Sequence, residues 1–147
     1  MLPQLRQPFL MAAFLAAATA PVAAQTTADV IEQWGLIGKW SADCQRAPTR
    51  GAPLLTYTKA RDGSVTRTAT AGGKPNTSNV VAARTLPDGS IEITEKDPDD
   101  TMTFVLSKDG SGKHRSMSSH DDKGHYYIRD GKFTGNGNET PLLSRCP

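Results

Sequence analysis

The most restrictive feature of this chain is a series of tight-turn signals that recurs about every 10 to 12 residues through most of its length. Each signal supplies the Asp or Gly that a hairpin turn requires. Between the signals, apolar and polar residues alternate with a period of two, as they do in half-buried strands. In segment 90–96, for example, Ile91 and Ile93 face one side of the strand and Glu92 faces the other. The pattern predicts antiparallel strands joined hairpin by hairpin.

Nine segments fit this description and define the predicted strands. They span 38–44, 53–60, 64–70, 78–86, 90–96, 101–107, 113–120, 124–129 and 141–146. A meander of this length can close on itself, which removes its exposed edges. We therefore predict an all-β fold, a small antiparallel up-and-down barrel of about eight strands. A flat or sandwich-like meander is the alternative.

One short stretch before the first strand has helical character. Segment 27–35 places Val30, Ile31 and Trp34 on one face, with Thr27 as the predicted N-cap and Gly35 as the stop. A helix this short depends on packing for its stability. We expect it to cover one end of the barrel.

The first 24 residues have the organisation of a secretory signal peptide. A weakly basic start carrying Arg6 leads into an apolar run at 8–18, and small residues at 22–24 form a cleavage site. The run is shorter than the roughly 20 residues that a membrane-spanning helix needs. We predict cleavage after Ala24, a single mature domain at 25–147, and a periplasmic or secreted protein with no membrane association after cleavage.

The composition limits the classes of partner. The 147 residues carry a formal net charge of +2, and 22% of them are charged. Such a balance provides no strong field for nucleic acid, and the length fits one domain rather than a multidomain enzyme. We expect a monomer that does not bind nucleic acid.

The chain has two cysteines, Cys44 and Cys146, both in the predicted mature domain. An even number of cysteines in an exported protein indicates a disulfide. A metal-binding pair or a catalytic thiol is the competing interpretation, but the two residues lie far apart and outside any Cys-x-x-Cys motif. We expect the bond to join the first strand to the last.

The polar residues do not form a recognisable catalytic motif. No Ser lies in a Gly-x-Ser-x-Gly or Ser-x-x-Lys motif, and the carboxylates at 97–100 have the spacing of a solvated turn. His120, His125 and Asp122 could collect a metal weakly, whereas exposed turn residues are the default interpretation. We therefore predict no enzyme activity, no cofactor and no metal site.

Two features resemble the calycin group, which includes the lipocalins. Gly38-Lys39-Trp40 opens the first strand directly after the short helix, and Arg145 lies on the last strand. In that group a Gly-x-Trp motif closes one end of the barrel, and an Arg packs across the Trp ring. The resemblance implies a calycin-like barrel in which Trp40 and Arg145 form a cation–π pair. Most of the mature chain also resembles small exported proteobacterial proteins of unknown function.

This architecture favours a binding role. Small barrels can hold one apolar or amphipathic molecule, and Met102, Phe104, Met117 and Tyr126 are the candidate wall residues. The same residues could instead fill the barrel. The alternative function is a protein-interaction module, such as a periplasmic protease inhibitor, that contacts an exported protein. An interior cavity would support the first function, and a solid core with an exposed apolar patch would support the second.

Overall fold

A computed structural model describes residues 24–147, so residues 1–23 of the predicted signal peptide lie outside the described residues. The described part contains one helix and ten strands. They are α1 Thr27–Trp34, β1 Gly38–Ser41, β2 Leu54–Lys59, β3 Val65–Thr70, β4 Asn76–Thr85, β5 Ile91–Lys96, β6 Thr101–Lys108, β7 His114–Asp121, β8 Tyr126–Arg129, β9 Lys132–Phe133 and β10 Ser144–Cys146. No helix in these residues has the length and apolar character needed to cross a membrane.

All ten strands form one antiparallel sheet that curls into a half-barrel. Each strand from β1 to β9 pairs with its neighbour in sequence, and β10 returns to pair with β1. The predicted up-and-down β architecture is confirmed, with ten strands in place of about eight. The flat meander is not observed. The strand absent from the nine predicted segments is β9, whose two residues are too few to produce an alternating pattern.

The two sides of the half-barrel are joined at the chain entering β10. The backbone N–H of Leu143 donates to the carbonyl of His114 at 2.7 Å, and the N–H of His114 donates to the carbonyl of Leu143 at 3.0 Å. This pair of hydrogen bonds ties the start of β7 to the segment that leads into β10. Within residues 24–147, no strand ladder joins β9 to β10.

Helix α1 covers one end of this sheet, as predicted. Its N-cap is Thr26 rather than the predicted Thr27: the N–H of Asp29 donates to Thr26 Oγ1 at 3.2 Å, and the Thr26 N–H donates to Asp29 Oδ2 at 3.0 Å. The reciprocal bonds favour this register because they satisfy two N–H groups at the helix start. The buried face of the helix includes Ile31 and Trp34, which join the main core cluster.

A β-bulge interrupts the alternation in β7. Ser116 pairs with Leu106 and Ser118 pairs with Val105, so Met117 is an extra residue opposite β6. An extra residue shifts the side-chain alternation by one position. The residues of β7 before and after Met117 therefore follow different inward and outward patterns.

Cys44 and Cys146 form the predicted pair, with their Cα atoms 5.4 Å apart. Cys146 lies on β10, but Cys44 lies in the loop beyond β1 and not on the first strand. The expectation of a first strand extending to residue 44 was wrong because β1 ends at Ser41. The Asp43 N–H then donates to Ser41 Oγ at 3.2 Å, which turns the chain away from the sheet.

Candidate functional site

A half-open interior cavity of about 330 Å³ lies within the half-barrel. This volume lies near the lower end of the range of about 300–1,000 Å³ that is usual for small-molecule sites. It is lined by Arg50, Pro53, Leu55, Arg67, Ala69, Ala71, Phe104, Ser116, Ile128, Phe133, Thr140, Pro141 and Leu143. Most of these side chains are apolar, which makes this cavity the candidate binding site.

Strand register explains why apolar residues line the cavity. Directly opposed residues on paired strands place their side chains on the same face of a sheet. Leu55 on β2 opposes Ala69 on β3, while Phe104 on β6 opposes Ile93 on β5. Ala69 is the small member of this inward-facing set, and its methyl group leaves room that a larger side chain would fill.

The main polar group in the wall is Arg67, on β3. Its guanidinium Nη1 donates to Glu95 Oε2 at 2.8 Å, and its Cζ lies 5.0 Å from the centroid of the Phe104 ring. The Arg67 side chain is only 18% exposed. A guanidinium held between a carboxylate and an aromatic face is fixed in orientation.

Glu95 lies behind Arg67 and is 3% exposed. Its Oε2 also accepts a hydrogen bond from Ser78 Oγ at 2.8 Å, whereas Oε1 is buried and without a partner among the described residues. Burial raises the pKa of the Glu95 carboxyl above its ordinary value, although the positive charge of Arg67 opposes this rise. Tyr57 opposes Arg67 on β2, and burial likewise raises the pKa of its phenol.

The entrance to the cavity lies beside Arg50 and Phe133. Arg50 belongs to the loop between β1 and β2 and is exposed, and Phe133 on β9 is 37% exposed. Arg50 forms no salt bridge with any residue in the described part of the chain. The lining contains two guanidinium groups and no carboxylate.

Of the four residues predicted to form the wall, Phe104 is the one that lines this cavity. Met102 opposes Glu95 and Asp121 on the inner face, nearer the β5–β6 turn. Met117 occupies the bulge and lies against Gly131, where an added Cβ would be 3.4 Å from the Met117 sulfur. The bulge therefore removes Met117 from the wall.

Tyr126 lies outside the cavity. It is 39% exposed and opposes His120 on β7, with the two ring centroids 5.1 Å apart. The Arg129 guanidinium lies over the Tyr126 ring at 4.2 Å. Tyr126 does not line this cavity, because Ile128 provides the inward side chain of β8, where it opposes Ser119.

The structure brings Gly38, Trp40 and Arg145 together at the covered end of the sheet. Trp40 opposes Arg145 across β1 and β10, and the Arg145 Cζ lies 5.8 Å from the Trp40 ring centroid. The Trp40 side chain is buried, and its Nε1 donates to the carbonyl of Leu36 at 2.8 Å. This arrangement lies where β1 pairs with β10 and apart from the cavity lining.

His114 is buried at this covered end. Its ring lies edge-on to Trp40 at 4.5 Å and to Trp34 at 6.0 Å, and neither ring nitrogen has a partner among the described residues. Burial, together with the positive charge of Lys108, lowers the pKa of His114 to about 4. The imidazole is therefore neutral at neutral pH.

The other two histidines flank the β7–β8 turn. His125 Nδ1 lies 3.0 Å from Asp121 Oδ2, and His120 Nδ1 lies 2.9 Å from the Asp121 carbonyl. Burial alone would raise the pKa of Asp121, but hydrogen bonds from His125 and the Lys123 backbone outweigh burial and lower that pKa to about 2. Within residues 24–147, no cluster of three or more His, Cys, Asp or Glu side chains is placed to hold a metal ion.

A larger depression of about 630 Å³ lies where α1 meets β1 and β2. Its charged lining includes Glu32 and Lys59, whose side chains form a salt bridge at 2.7 Å. Lys39 and Arg61 also line this depression, so it carries an excess of positive charge as well. The interior cavity is the better candidate site because it is less open to solvent and most of its lining is apolar.

Comparisons with protein-family models, with curated proteins and with solved structures find no match to this chain.

Proposed function

We propose that this protein binds a small apolar or amphipathic molecule in the interior cavity of the half-barrel and acts as a carrier outside the cytoplasm. The observation that carries the proposal is the cavity itself, about 330 Å³ in volume and lined mainly by apolar side chains. A ligand entering such a space would exchange apolar surface for contact with Leu55, Phe104 and Leu143. The proposal assigns binding alone and no catalytic step to this site.

The location outside the cytoplasm is part of the same proposal. The signal-peptide pattern of residues 1–24 supports it, and so does the pairing of Cys44 with Cys146. Disulfides persist in oxidising compartments and are rare in the cytosol. We propose that the domain acts there as a monomer, and that cleavage after Ala24 releases it from the membrane.

Native mass spectrometry of protein purified from a bacterial periplasm tests the binding function. We expect a copurified small mass that is lost on denaturation. The variant Ala69→Phe should remove that mass, because a ring at residue 69 would occupy the cavity. Ala82→Phe is the matched control, since Ala82 lies exposed on β4 and opposes Thr94 on the outer face.

A bare mass for the wild-type protein, together with no small-molecule binding in solution, would contradict the proposal. The search would then move to an exported protein partner, the alternative that a protease inhibitor exemplifies. A copurified mass that persists in Ala69→Phe would place the ligand elsewhere on the molecule. Loss of the mass in both variants would indicate general instability, which circular dichroism of the two variants would detect.

A further inference from the structure

We propose that the ligand of the interior cavity is a compact organic monoanion, an apolar body carrying one carboxylate or sulfonate, with its charged group held by Arg67 and Arg50. This inference rests on the proposed function and adds the chemical class of the ligand. It starts from the distribution of charge around the cavity. The apolar lining by itself would suit a neutral molecule equally well.

The lining carries an excess of positive charge. Arg67 and Arg50 both contribute guanidinium groups, and no acidic residue lines the cavity. Glu95, behind the wall, neutralises one of the two through its salt bridge to Arg67. One net positive charge remains, and a ligand with one negative charge would balance it. A bound cation would face two guanidinium groups across an apolar space, which is unfavourable.

The position of Arg67 suits it to hold an anion. The Nη1 group donates to Glu95, but a guanidinium has five N–H donors in one plane, so others remain for a ligand. The ring of Phe104 and the carboxylate of Glu95 fix the group before any ligand arrives. A preorganised donor costs little conformational entropy when it binds.

Arg50 completes the site from the entrance. Its loop position and its lack of a salt-bridge partner among the described residues leave its charge free to meet an incoming anion. Charges at the edge of a site act on encounter and selectivity. The cavity volume sets the size limit, since about 330 Å³ accommodates a compact body and not a long chain.

Two dyes with the same aromatic body distinguish the contribution of charge to the binding affinity from the contribution of apolar contact. Anilinonaphthalene sulfonate is an anion, and phenylnaphthylamine is its neutral counterpart. Both report binding by fluorescence to the folded, disulfide-intact protein at neutral pH. We expect the anion to bind about tenfold more tightly than the neutral dye, since one charge-assisted hydrogen bond contributes about that much selectivity.

Three single substitutions test the assignment of the charges. Arg50→Gln should lower the affinity for the anionic dye several-fold more than it lowers the affinity for the neutral dye. Glu95→Gln keeps the shape of the side chain but removes the opposing negative charge, so it should raise the affinity for the anion. A purely structural role for Glu95 would not produce this gain. Arg46→Gln is the control, because Arg46 lies in the same loop, is 85% exposed and does not line the cavity.

The outcomes separate the inference from the function on which it rests. If the protein binds the neutral dye and the anionic dye with equal affinity, the inference is overturned and the binding function stands. An anion preference that Arg50→Gln and Glu95→Gln leave unchanged also overturns it. Failure of both dyes to bind overturns the binding function and the inference together.

Discussion

Gly38 lies directly beneath the guanidinium group of Arg145. An added Cβ at residue 38 would come within 3.1 Å of Arg145 Nη2, and the backbone of Gly38 has a φ of +129°, which side-chain-bearing residues rarely adopt. The same guanidinium lies over Trp40 at the covered end of the sheet. The missing Cβ of Gly38 and its positive φ therefore allow the Arg145–Trp40 pair to form between β1 and β10.

Replacing Gly38 by Ala should destabilise the fold. We expect a loss of about 1 to 3 kcal/mol in the free energy of unfolding, because alanine disfavours this φ and the new methyl group would push the Arg145 guanidinium aside by a few tenths of an ångström. Urea denaturation of the two proteins measures the difference. Gly51→Ala is the control, since a Cβ at residue 51 would meet no atom within 4 Å. Equal stability of the two variants would contradict the role assigned to Gly38.

Removing the disulfide should lower the free energy of unfolding more than Gly38→Ala does. The Cys44–Cys146 bond spans 102 residues of sequence, and a loop of that length predicts a loss of about 3 to 5 kcal/mol when either cysteine becomes serine. Thermal unfolding with and without reductant measures the effect. Reductant should lower the melting temperature of the wild type and have no effect on Cys146→Ser. An unchanged melting temperature in the variant would show that the bond contributes nothing to stability.

His114 should make the protein less stable in mild acid. Its pKa is about 4 in the folded protein, against an ordinary value of 6.5, so the unfolded chain binds the proton more tightly. The contribution of neutral His114 is complete above pH 6.5 and is lost progressively as the pH falls towards 4. The total loss should be about 3 kcal/mol.

The variant His114→Phe isolates this contribution. Urea midpoints of the wild type and the variant are measured from pH 7 down to pH 4. As the pH falls, the midpoint of the wild type should decrease more than the midpoint of the variant. Carboxylates that titrate in the same range affect both proteins and cancel in the comparison. A difference that stays constant across this range would rule out a neutral, buried His114.

The start of α1 offers a test with two neighbouring threonines. Thr26→Ala should lower stability by about 1 kcal/mol, because it removes the hydroxyl that accepts the Asp29 N–H. Thr27→Ala is the control: Thr27 is the first helical residue, it is half-buried, and its hydroxyl is not the acceptor of the Asp29 N–H, so its replacement should change stability by only a few tenths of a kcal/mol. Denaturant titration distinguishes the two. Equal losses of stability, or a larger loss for Thr27→Ala, would contradict the assignment of Thr26 as the N-cap.

The strands were predictable because their pattern is local. The turn signals and the alternation around Ile91 and Ile93 correspond to observed strands and hairpins, with bounds that differ by a few residues. Gly38, Trp40 and Arg145 also come together, because β10 pairs with β1. These features depend on residue types at fixed spacings.

The polar part of the candidate site was missed, although the sequence contained a signal for it. Glu95 has the same parity as Ile91 and Ile93 on β5, which places a carboxylate on the apolar face of that strand. A carboxylate in such a position needs a partner. Arg67 is that partner, 28 residues earlier in the chain, and no local pattern connects the two.

The predicted wall residues that do not line the cavity lie next to irregularities in strand pairing, which shift the side-chain alternation along a strand. The bulge at Met117 shifts the alternation of β7, so Met117 does not line the cavity. Tyr126 is displaced outward in the same way by an irregular register between β7 and β8. A bulge depends on the pairing of two strands and leaves little trace in either sequence alone.

The sequence by itself determined the β class, the turn positions, the short helix and the two cysteines available for pairing, because these follow from local propensity and side-chain alternation. The tertiary structure decided where the cavity lies, which side chains line it, and how Arg67 and Glu95 are paired. Those properties arise from strand register and the curl of the sheet. Both result from long-range pairing, through which small residues such as Ala69 come to face distant large ones such as Phe104 across a shared interior.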